Sequence, residues 1–405
     1  MRIVLNRESG VPLYRQIETY LRQAIGSGGL PPGARLPATR ELARDLGVNR
    51  ITVETAYAEL RADGLISSRM GSGSYVLPPF RLVPTPQDTP RLEWPAWQRE
   101  LPERDWSFTT SGMRAALLAG RHPSPIDLSS GVGDHRLFPA DDFRKVIQTV
   151  MRRDGAEAME YGEQTGYAPL RRTFSDLLVS QGLYARPDSI LITGGSQQSM
   201  ALVALLLTSP GDTVIVERPT YSGALHLFRM LGLKVVAVPV DERGMQVEVL
   251  GEMLAATGAG TVADGAAKPK LIYTMPTFHN PTGATMSGAR RAQLVDLAGR
   301  HGIPILEDDY AGDLRYEGRA HPSLKAIDPG GRVIYTGTFS KLLMPGLRIG
   351  FLVAEGPVYR HLAGLKQAHD LATANLFQRA LEAYLTVGLY QEHLERSRRT
   401  YRKRR

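Results

Sequence analysis

The residues best suited to chemistry lie in one short run, Thr338-Phe339-Ser340-Lys341-Leu342-Leu343-Met344-Pro345-Gly346-Leu347-Arg348. A lysine amine condenses with an aldehyde, while neighbouring hydroxyls and a guanidinium can hold a phosphate. The run therefore suits a Schiff base at Lys341 with a phosphate anchor beside it. A solvated loop lysine would fit the same pattern, so support must come from elsewhere in the chain.

A second phosphate-binding pattern lies at Thr193-Gly194-Gly195-Ser196-Gln197-Gln198, which follows the apolar run Ile190-Leu191-Ile192. The pattern predicts a strand that turns into an apolar helix extending through Leu207. Glycines allow backbone N–H groups to approach a phosphate, and a helix N-terminus favours its negative charge. Any strand-to-helix turn can use glycine and serine, so this signal is moderate alone.

Three more loops carry polar residues that an aromatic, phosphate-bearing ligand would need. Tyr221 follows a predicted strand and could stack on a ring, although a core or surface tyrosine fits equally. Asn280 lies in the turn His279-Asn280-Pro281-Thr282-Gly283, a common turn sequence. Asp308 ends an apolar strand, where it could pair with a protonated ring nitrogen or cap a helix. Tyr310 could donate to a ring oxygen.

These loops connect predicted strands and helices from about Ile126 onward. Alternation of buried strands with helices is typical of an α/β domain with a mostly parallel sheet, whose ligand site lies at the carboxyl ends of the strands. A last helix is predicted from about Leu376 to the end. The predicted strands are Ile190–Ile192, Val214–Glu217, Lys234–Val240, Leu271–Thr274, Ile303–Asp308 and Arg332–Thr336, and Gly288–His301 is a predicted helix.

Residues 12–76 predict a winged helix-turn-helix. A first amphipathic helix from Pro12 to Ile25 is followed by a helix capped by Thr39 and ended by Gly47. Asn49 caps the next helix, which runs to about Ala62, and residues 65–76 predict a small β-hairpin. Arg50 and Thr52 would occupy the end that enters the major groove. A helical bundle with solvated arginines is the alternative.

Length and composition set the limits of these predictions. A chain of 405 residues favours two or three domains, and 42% hydrophobic with 22% charged residues is typical of a globular protein. Neither a signal peptide nor an apolar span is visible, so we expect a cytoplasmic protein without a membrane partner. The absence of cysteine excludes disulfides and thiolate sites, and the histidines lack metal-site spacing, so no metal is expected. The formal charge of +8 lies mainly in a basic tail from Glu395 to Arg405.

Between the two predicted domains, residues 77–125 are rich in proline and contain all three tryptophans. Proline at this density favours an extended linker. The predicted division is therefore 1–76 for the DNA-binding domain, 77–125 for the linker and 126–405 for the α/β domain.

The order Gly-Ser-Gln, Tyr, His-Asn-Pro-Thr-Gly, Asp-Asp-Tyr and Ser-Lys with a following Arg resembles the fold-type I aminotransferases, which use pyridoxal 5′-phosphate (PLP). The N-terminal module, with Pro-Leu-Tyr-Arg-Gln-Ile and Val-Asn-Arg-Ile-Thr-Val, resembles the GntR-type winged helix. Together they resemble the MocR subfamily of bacterial transcriptional regulators over nearly the whole chain. Proteins of this kind continue into a small C-terminal subdomain with an arginine for the substrate carboxylate, so the resemblance implies that this subdomain is incomplete here.

The resemblance implies a role for each matching residue. Lys341 would form the internal aldimine, Asp308 would face the pyridinium nitrogen, and Asn280 and Tyr310 would bond the ring hydroxyl. Tyr221 would stack on the ring, and Tyr161 would reach the partner subunit's phosphate in a homodimer. The implied phosphate ligands are Gly195, Ser196, Gln197, Thr338, Ser340 and Arg348, and the implied DNA contacts are Arg35, Arg40, Arg50, Thr52 and Gly71.

Three functions remain open from sequence. The first is a regulator that senses an amine, an amino acid or PLP itself through Lys341 and binds operator DNA. The second is an aminotransferase acting on an amino acid, with an accessory DNA-binding domain. The third is a DNA-binding scaffold whose cofactor domain only dimerises. The DNA-binding module favours the first over the second, and the presence of Lys341 and Asp308 favours it over the third. Any transaminase chemistry would be vestigial.

Overall fold

The computed structural model describes residues 3–7, 9–69, 73–77, 131, 133–256, 261–262 and 266–404. The chain divides into two compact units, Met1–Arg104 and Asp105–Arg405. The predicted linker lies outside the described residues except for Leu77, so the division at 1–76, 77–125 and 126–405 stays a prediction.

The described residues of the first unit form three helices and a two-stranded antiparallel hairpin. Gly47, in the left-handed conformation, ends the second helix, and the Asn49 side chain accepts a bond from the Ile51 N–H at the start of the third, as predicted. The predicted cap at Thr39 is wrong. Extended Ala38 holds the N-cap position, so Thr39 is already helical and caps nothing. The elements are α1 (Leu13–Gly26), α2 (Thr39–Leu46), α3 (Arg50–Ala62), β1 (Ile66–Arg69) and β2 (Gly73–Val76).

Apolar side chains spaced along α1 and α3 form the core of this unit. Ile17 and Leu21 of α1 and Val53 and Leu60 of α3 are fully buried, each stabilising the fold by roughly 1.5–3 kcal/mol. The buried phenol of Tyr57 donates a 2.9 Å bond to the carbonyl of Pro37, which fixes α3 against the segment before α2. The N-terminal end of α3 stays exposed.

The second unit is an α/β domain. Its helices are α4 (Ala140–Asp154), α5 (Ala168–Ser180), α6 (Ser196–Leu207), α7 (Ser222–Met230), α8 (Val247–Ala256), α9 (Gly288–His301), α10 (Gly356–Asp370), α11 (Asn375–Thr386) and α12 (Leu389–Arg404). Its strands are β3 (Ile190–Thr193), β4 (Thr213–Arg218), β5 (Lys234–Asp241), β6 (Gly244–Met245), β7 (Thr261–Val262), β8 (Ala266–Ala267), β9 (Leu271–Thr274), β10 (Ile305–Asp309), β11 (Val333–Thr338) and β12 (Gly350–Val353).

An eight-stranded sheet in the order β3-β12-β11-β10-β9-β4-β5-β6 organises this domain. Strands β5, β4, β9, β10 and β11 pair in parallel, whereas β12 runs antiparallel to both of its neighbours. The carboxyl ends of the parallel strands therefore meet at one edge. The predicted strands are present, but β6 and β12 of this sheet were not predicted. Strand β6 has only two residues, and β12 is a four-residue strand that begins with glycine one residue after the phosphate-anchor run.

Helices cover both faces of the sheet, so successive residues of a strand pack in different apolar clusters. Leu271 and Tyr273 of β9 pack with residues of α6, α7 and α10, whereas Ile272 packs with residues of α8 and α9. This arrangement explains why the strands read as continuous apolar runs. A third apolar cluster joins β3, α4, α5, α11 and α12.

The C-terminal segment corrects one prediction. The single helix predicted from about Leu376 is two helices, α11 and α12, separated by Val387 and Gly388. Gly388 has a φ of 84°, a conformation that glycine adopts without the strain a side chain would cause, and it breaks the helix there. In the described part of the chain, every helix is too short or too polar to cross a membrane.

Candidate functional site

The buried carboxylate of Asp308 lies at the end of β10 with only one of its two oxygens satisfied. The phenol of Tyr273, on neighbouring β9, donates a 2.8 Å bond to Oδ2, while Oδ1 has no partner among the described residues. Burial raises the pKa of Asp308 to about 7, the Tyr273 bond lowers it, and Asp309 and Glu217 raise it further. A cationic N–H donor would satisfy Oδ1 and favour the charged carboxylate.

Lys341 lies in the turn that directly follows β11. Its Nζ is 3.7 Å from the position that a Cβ on Gly131 would occupy. Burial lowers the pKa of the lysine, which increases the fraction of neutral, nucleophilic amine at neutral pH. The lysine is half-buried and stays accessible from a cavity.

That cavity has a volume of about 810 Å³, and two of the predicted site residues, Lys341 and Tyr310, line it. The Tyr310 hydroxyl donates a 2.6 Å bond to the carbonyl of Phe278. Burial raises the pKa of Tyr310 to about 12, so the phenol keeps its proton near neutrality. With that proton donated to Phe278, the oxygen of Tyr310 is free to accept from a ligand hydroxyl.

The turn between β3 and α6 has the geometry of an anion cradle. Gly195 has a φ of 119°, and a Cβ at this position would lie 2.9 Å from Nη2 of Arg348. The same Nη2 donates a 2.8 Å bond to the carbonyl of Gly194, which holds the guanidinium at the turn. Among the described residues, no hydrogen bond uses the N–H groups of Gly195, Ser196 or Gln197. These donors and the guanidinium suit a phosphate.

The hydroxyls of the Lys341 run lie close to one another. Thr338 Oγ1 donates to Ser340 Oγ at 3.1 Å and accepts from the Ser340 N–H at 3.2 Å. The side chain of Gln197, at the β3–α6 turn, does not join this group. It is exposed, and its Nε2 donates a 3.2 Å bond to the Gly223 carbonyl.

Tyr221 lies near enough to Asp308 and Arg348 for both charges to act on its phenol. Burial, first, and the Asp308 charge raise the pKa of its phenol, whereas the Arg348 charge lowers it. The ring therefore lies within electrostatic reach of both the carboxylate and the guanidinium. Its backbone immediately precedes α7.

The structure gives Asn280 and Tyr161 no polar contact with the other predicted residues among those described. Asn280 is half-buried, in a loop anchored by its neighbour His279, whose Nδ1 lies 2.8 Å from Thr282 Oγ1 and whose Nε2 lies 3.3 Å from buried Glu217. The Tyr161 residue is 87% exposed.

Sequence reasoning gave no role to Tyr273 or Glu217, and it gave Gln198, whose Oε1 accepts a 2.7 Å bond from the Gly194 N–H, none of its own. Glu217 accepts bonds from the Thr274 hydroxyl at 2.9 Å and the Met275 N–H at 2.8 Å, and so ties β4 to the loop after β9. A tyrosine inside an apolar strand and a carboxylate at a strand end were the available signals, since buried polar groups require partners.

In the N-terminal unit, Arg50 and Thr52 lie in the first turn of α3. Arg50 is exposed and its Nε donates to Glu54 at 2.6 Å. Arg35, also exposed, forms a β-bridge with Tyr75, and its Nε is 3.0 Å from the Cβ position of Gly73 in the hairpin. Arg40 is exposed on α2, and Gly71 lies outside the described residues.

Comparison with known proteins identifies both units. Residues 124–405 match the aminotransferase class I and II family, and residues 13–76 match the gntR family of bacterial regulatory proteins. The uncharacterized HTH-type transcriptional regulator YisV of Bacillus subtilis is 34% identical over 400 residues, which cover 99% of this chain and 79% of YisV. The chain belongs to the MocR-type regulators.

Two further relatives represent the combined architecture and the larger domain. The probable rhizopine catabolism regulatory protein MocR of Rhizobium meliloti is 32% identical over 99% of this chain and 77% of its own length. The crystal structure of Pyrococcus horikoshii kynurenine aminotransferase, in complex with PMP, has a TM-score of 0.68 and 34% identity over 77% of this chain and 74% of that chain. This MocR-type chain therefore joins a GntR-type helix-turn-helix, a module that implies DNA binding, to a domain of an aminotransferase family that typically binds PLP.

Proposed function

We propose that this MocR-type regulator binds operator DNA through its N-terminal unit and holds PLP at Lys341. In this proposal an amine, an amino acid or PLP itself controls transcription from that site. The observation that carries the proposal is Oδ1 of buried Asp308, which has no partner in the described part of the chain and to which a protonated pyridine nitrogen would donate. The open N–H groups at Gly195, Ser196 and Gln197 support a phosphate at the other end of the ligand.

Different residues of the chain would bind the ring and the phosphate of PLP. Asp308 would hold the ring nitrogen, Tyr221 would cover one ring face, and Asn280 and the oxygen of Tyr310 would contact the ring hydroxyl. Bound PLP supplies an aldehyde that exchanges between lysine and free primary amines. Phosphate binding would come from Gly195, Ser196, Gln197, Thr338, Ser340 and Arg348, and from Tyr161 of a partner protomer in a homodimer.

On the DNA side, Arg50 and Thr52 would enter the major groove, and Arg35, Arg40 and Gly71 would make the other DNA contacts. Coupling requires that the effector bind one arrangement of the protein better than another, since equal affinities shift nothing.

A working aminotransferase is the second candidate, because the Pyrococcus horikoshii relative is a kynurenine aminotransferase at 34% identity. Transamination of an added amino acid by the purified protein would favour this candidate. Release of amine-bound cofactor without turnover would favour the sensor.

The proposal is tested by a gel-shift titration of the intergenic DNA upstream of the gene, with and without PLP and a panel of amines. We expect a shift whose midpoint changes with PLP alone or with PLP and one amine. A midpoint unaffected by every addition would refute sensing, and no shift at all would refute operator binding there.

A further inference from the structure

Lys366 is a fully buried lysine that the proposed cofactor site does not use. It lies in α10 with no exposed side-chain surface, and its Nζ donates a 2.9 Å bond to Asp370 Oδ1 one helical turn later. Burying an ammonium destabilises the fold unless a counter-charge is present. The fold thus places an ion pair at the end of α10.

An unbroken chain of hydrogen bonds leads from this ion pair to the anion cradle. Asp370 Oδ2 accepts from Gln198 Nε2 at 2.8 Å, and Gln198 Oε1 accepts from the Gly194 N–H at 2.7 Å. The Gly194 carbonyl then accepts from Arg348 Nη2 at 2.8 Å. The chain ends on the guanidinium of the cradle.

The direction of these bonds follows from donor and acceptor chemistry. A carboxylate can only accept, so it must face the NH₂ of the Gln198 amide, which turns the amide oxygen toward the Gly194 N–H. With the Gly194 N–H occupied, the open N–H groups of the turn begin at Gly195.

We propose that Lys366, Asp370 and Gln198 are positioning residues that hold the Gly194–Gly195 turn and Arg348 in the geometry that binds the phosphate of PLP. This inference rests on the proposed cofactor function. The three side chains act on the phosphate cradle and not on Asp308 or Lys341. They therefore support affinity for the phosphorylated cofactor and leave affinity for its unphosphorylated form unchanged.

The test measures Kd for PLP and for pyridoxal, by absorbance titration of the apo protein, in wild type, Gln198→Met and Lys366→Met. Lys325→Met is the matched control, because Lys325 is a second buried lysine, paired with half-exposed Glu355 at 3.4 Å, and no hydrogen bond connects its side chain to the cradle within the described residues. We expect Kd for PLP to rise roughly tenfold in Gln198→Met and in Lys366→Met, because each variant loses a hydrogen bond that supports binding of a charged ligand. Kd for pyridoxal should stay within about twofold of wild type.

Three results would overturn the inference. The first is an unchanged Kd for PLP in Gln198→Met, whose half-exposed side chain keeps the test valid if Lys366→Met does not fold. The second is a rise of both Kd values together, which indicates general loss of structure. The third is a wild type that binds neither ligand, which refutes the proposed cofactor function itself and is distinguished from the others by the wild-type titration alone.

Discussion

The Tyr273 phenol donates a 2.8 Å hydrogen bond to Oδ2 of Asp308, and Asp308 Oδ1 is left without a partner among the described residues. One oxygen of the carboxylate is thereby fixed and the other is available at the edge of the sheet. Because both residues lie on adjacent parallel strands, the sheet itself sets their relative position.

The burial of Asp308 predicts a pH-dependent stability of the apo protein. Its pKa of about 7 lies above the ordinary 3.8, so the folded state binds more protons than the unfolded state between about pH 4 and 7. The free energy of unfolding should therefore fall as pH rises through this window. Asp308→Asn should reduce the slope by up to one proton, about 1.4 kcal/mol per pH unit. Urea denaturation at several pH values measures the free energy of unfolding. A pH slope that Asp308→Asn leaves unchanged would contradict the raised pKa of Asp308.

Tyr273→Phe should remove the one hydrogen-bond donor that the described residues give the Asp308 side chain. At pH 8 we expect a loss of about 1–3 kcal/mol in the free energy of unfolding, because a buried charge loses its donor. At pH 5 the loss should be smaller, since a neutral, protonated carboxyl depends less on a hydrogen-bond donor than a buried carboxylate does. Equal losses at the two pH values would show that packing, and not the hydrogen bond, is the cause.

Gly195→Ala should weaken PLP binding through the cradle. Its Cβ would meet Arg348 Nη2 at 2.9 Å, and its φ of 119° would add about 1–3 kcal/mol of strain. Gly211→Ala is the matched control, since Gly211 has a φ of 92° but nothing within 4 Å of its Cβ position. Both variants should lose stability in thermal unfolding, but only Gly195→Ala should lose PLP affinity. Similar PLP affinities in the two variants would argue against the cradle.

Arg50→Ala should weaken operator binding by about 1–3 kcal/mol and leave the cofactor spectrum unchanged. Loss of the half-exposed pair with Glu54 should change stability little. Arg61→Ala, in the last turn of the same helix, is the control and should bind DNA like wild type. If Arg50→Ala binds operator as tightly as Arg61→Ala, Arg50 is not part of the recognition surface.

Much of the fold was predictable because it depends on local patterns. The parallel strands were visible as apolar runs, and Gly47 and Asn49 marked helix ends. Thr39 was misassigned because both Ala38 and Thr39 could begin the helix, and the extended backbone of Ala38 decides between them.

Single residues of the candidate site could be proposed from the sequence, whereas the pairs that hold them in place could not. Lys341 and Asp308 stand out by type and position. The bonds from Tyr273 to Asp308 and from Gln198 to Asp370 join residues 35 and 172 positions apart, and only the strand order and the position of α10 bring them together. Long-range hydrogen bonds of this kind leave no periodic signal in a sequence.

The central claim is that PLP attaches to Nζ of Lys341, and its most direct test is borohydride reduction of the PLP-loaded protein followed by peptide mass spectrometry. We predict a phosphopyridoxyl group on the peptide that contains Lys341, its presence in Lys325→Met and its absence in Lys341→Ala, which should also lack the yellow colour. A phosphopyridoxyl group on a different lysine, or yellow colour that persists in Lys341→Ala, would contradict the claim.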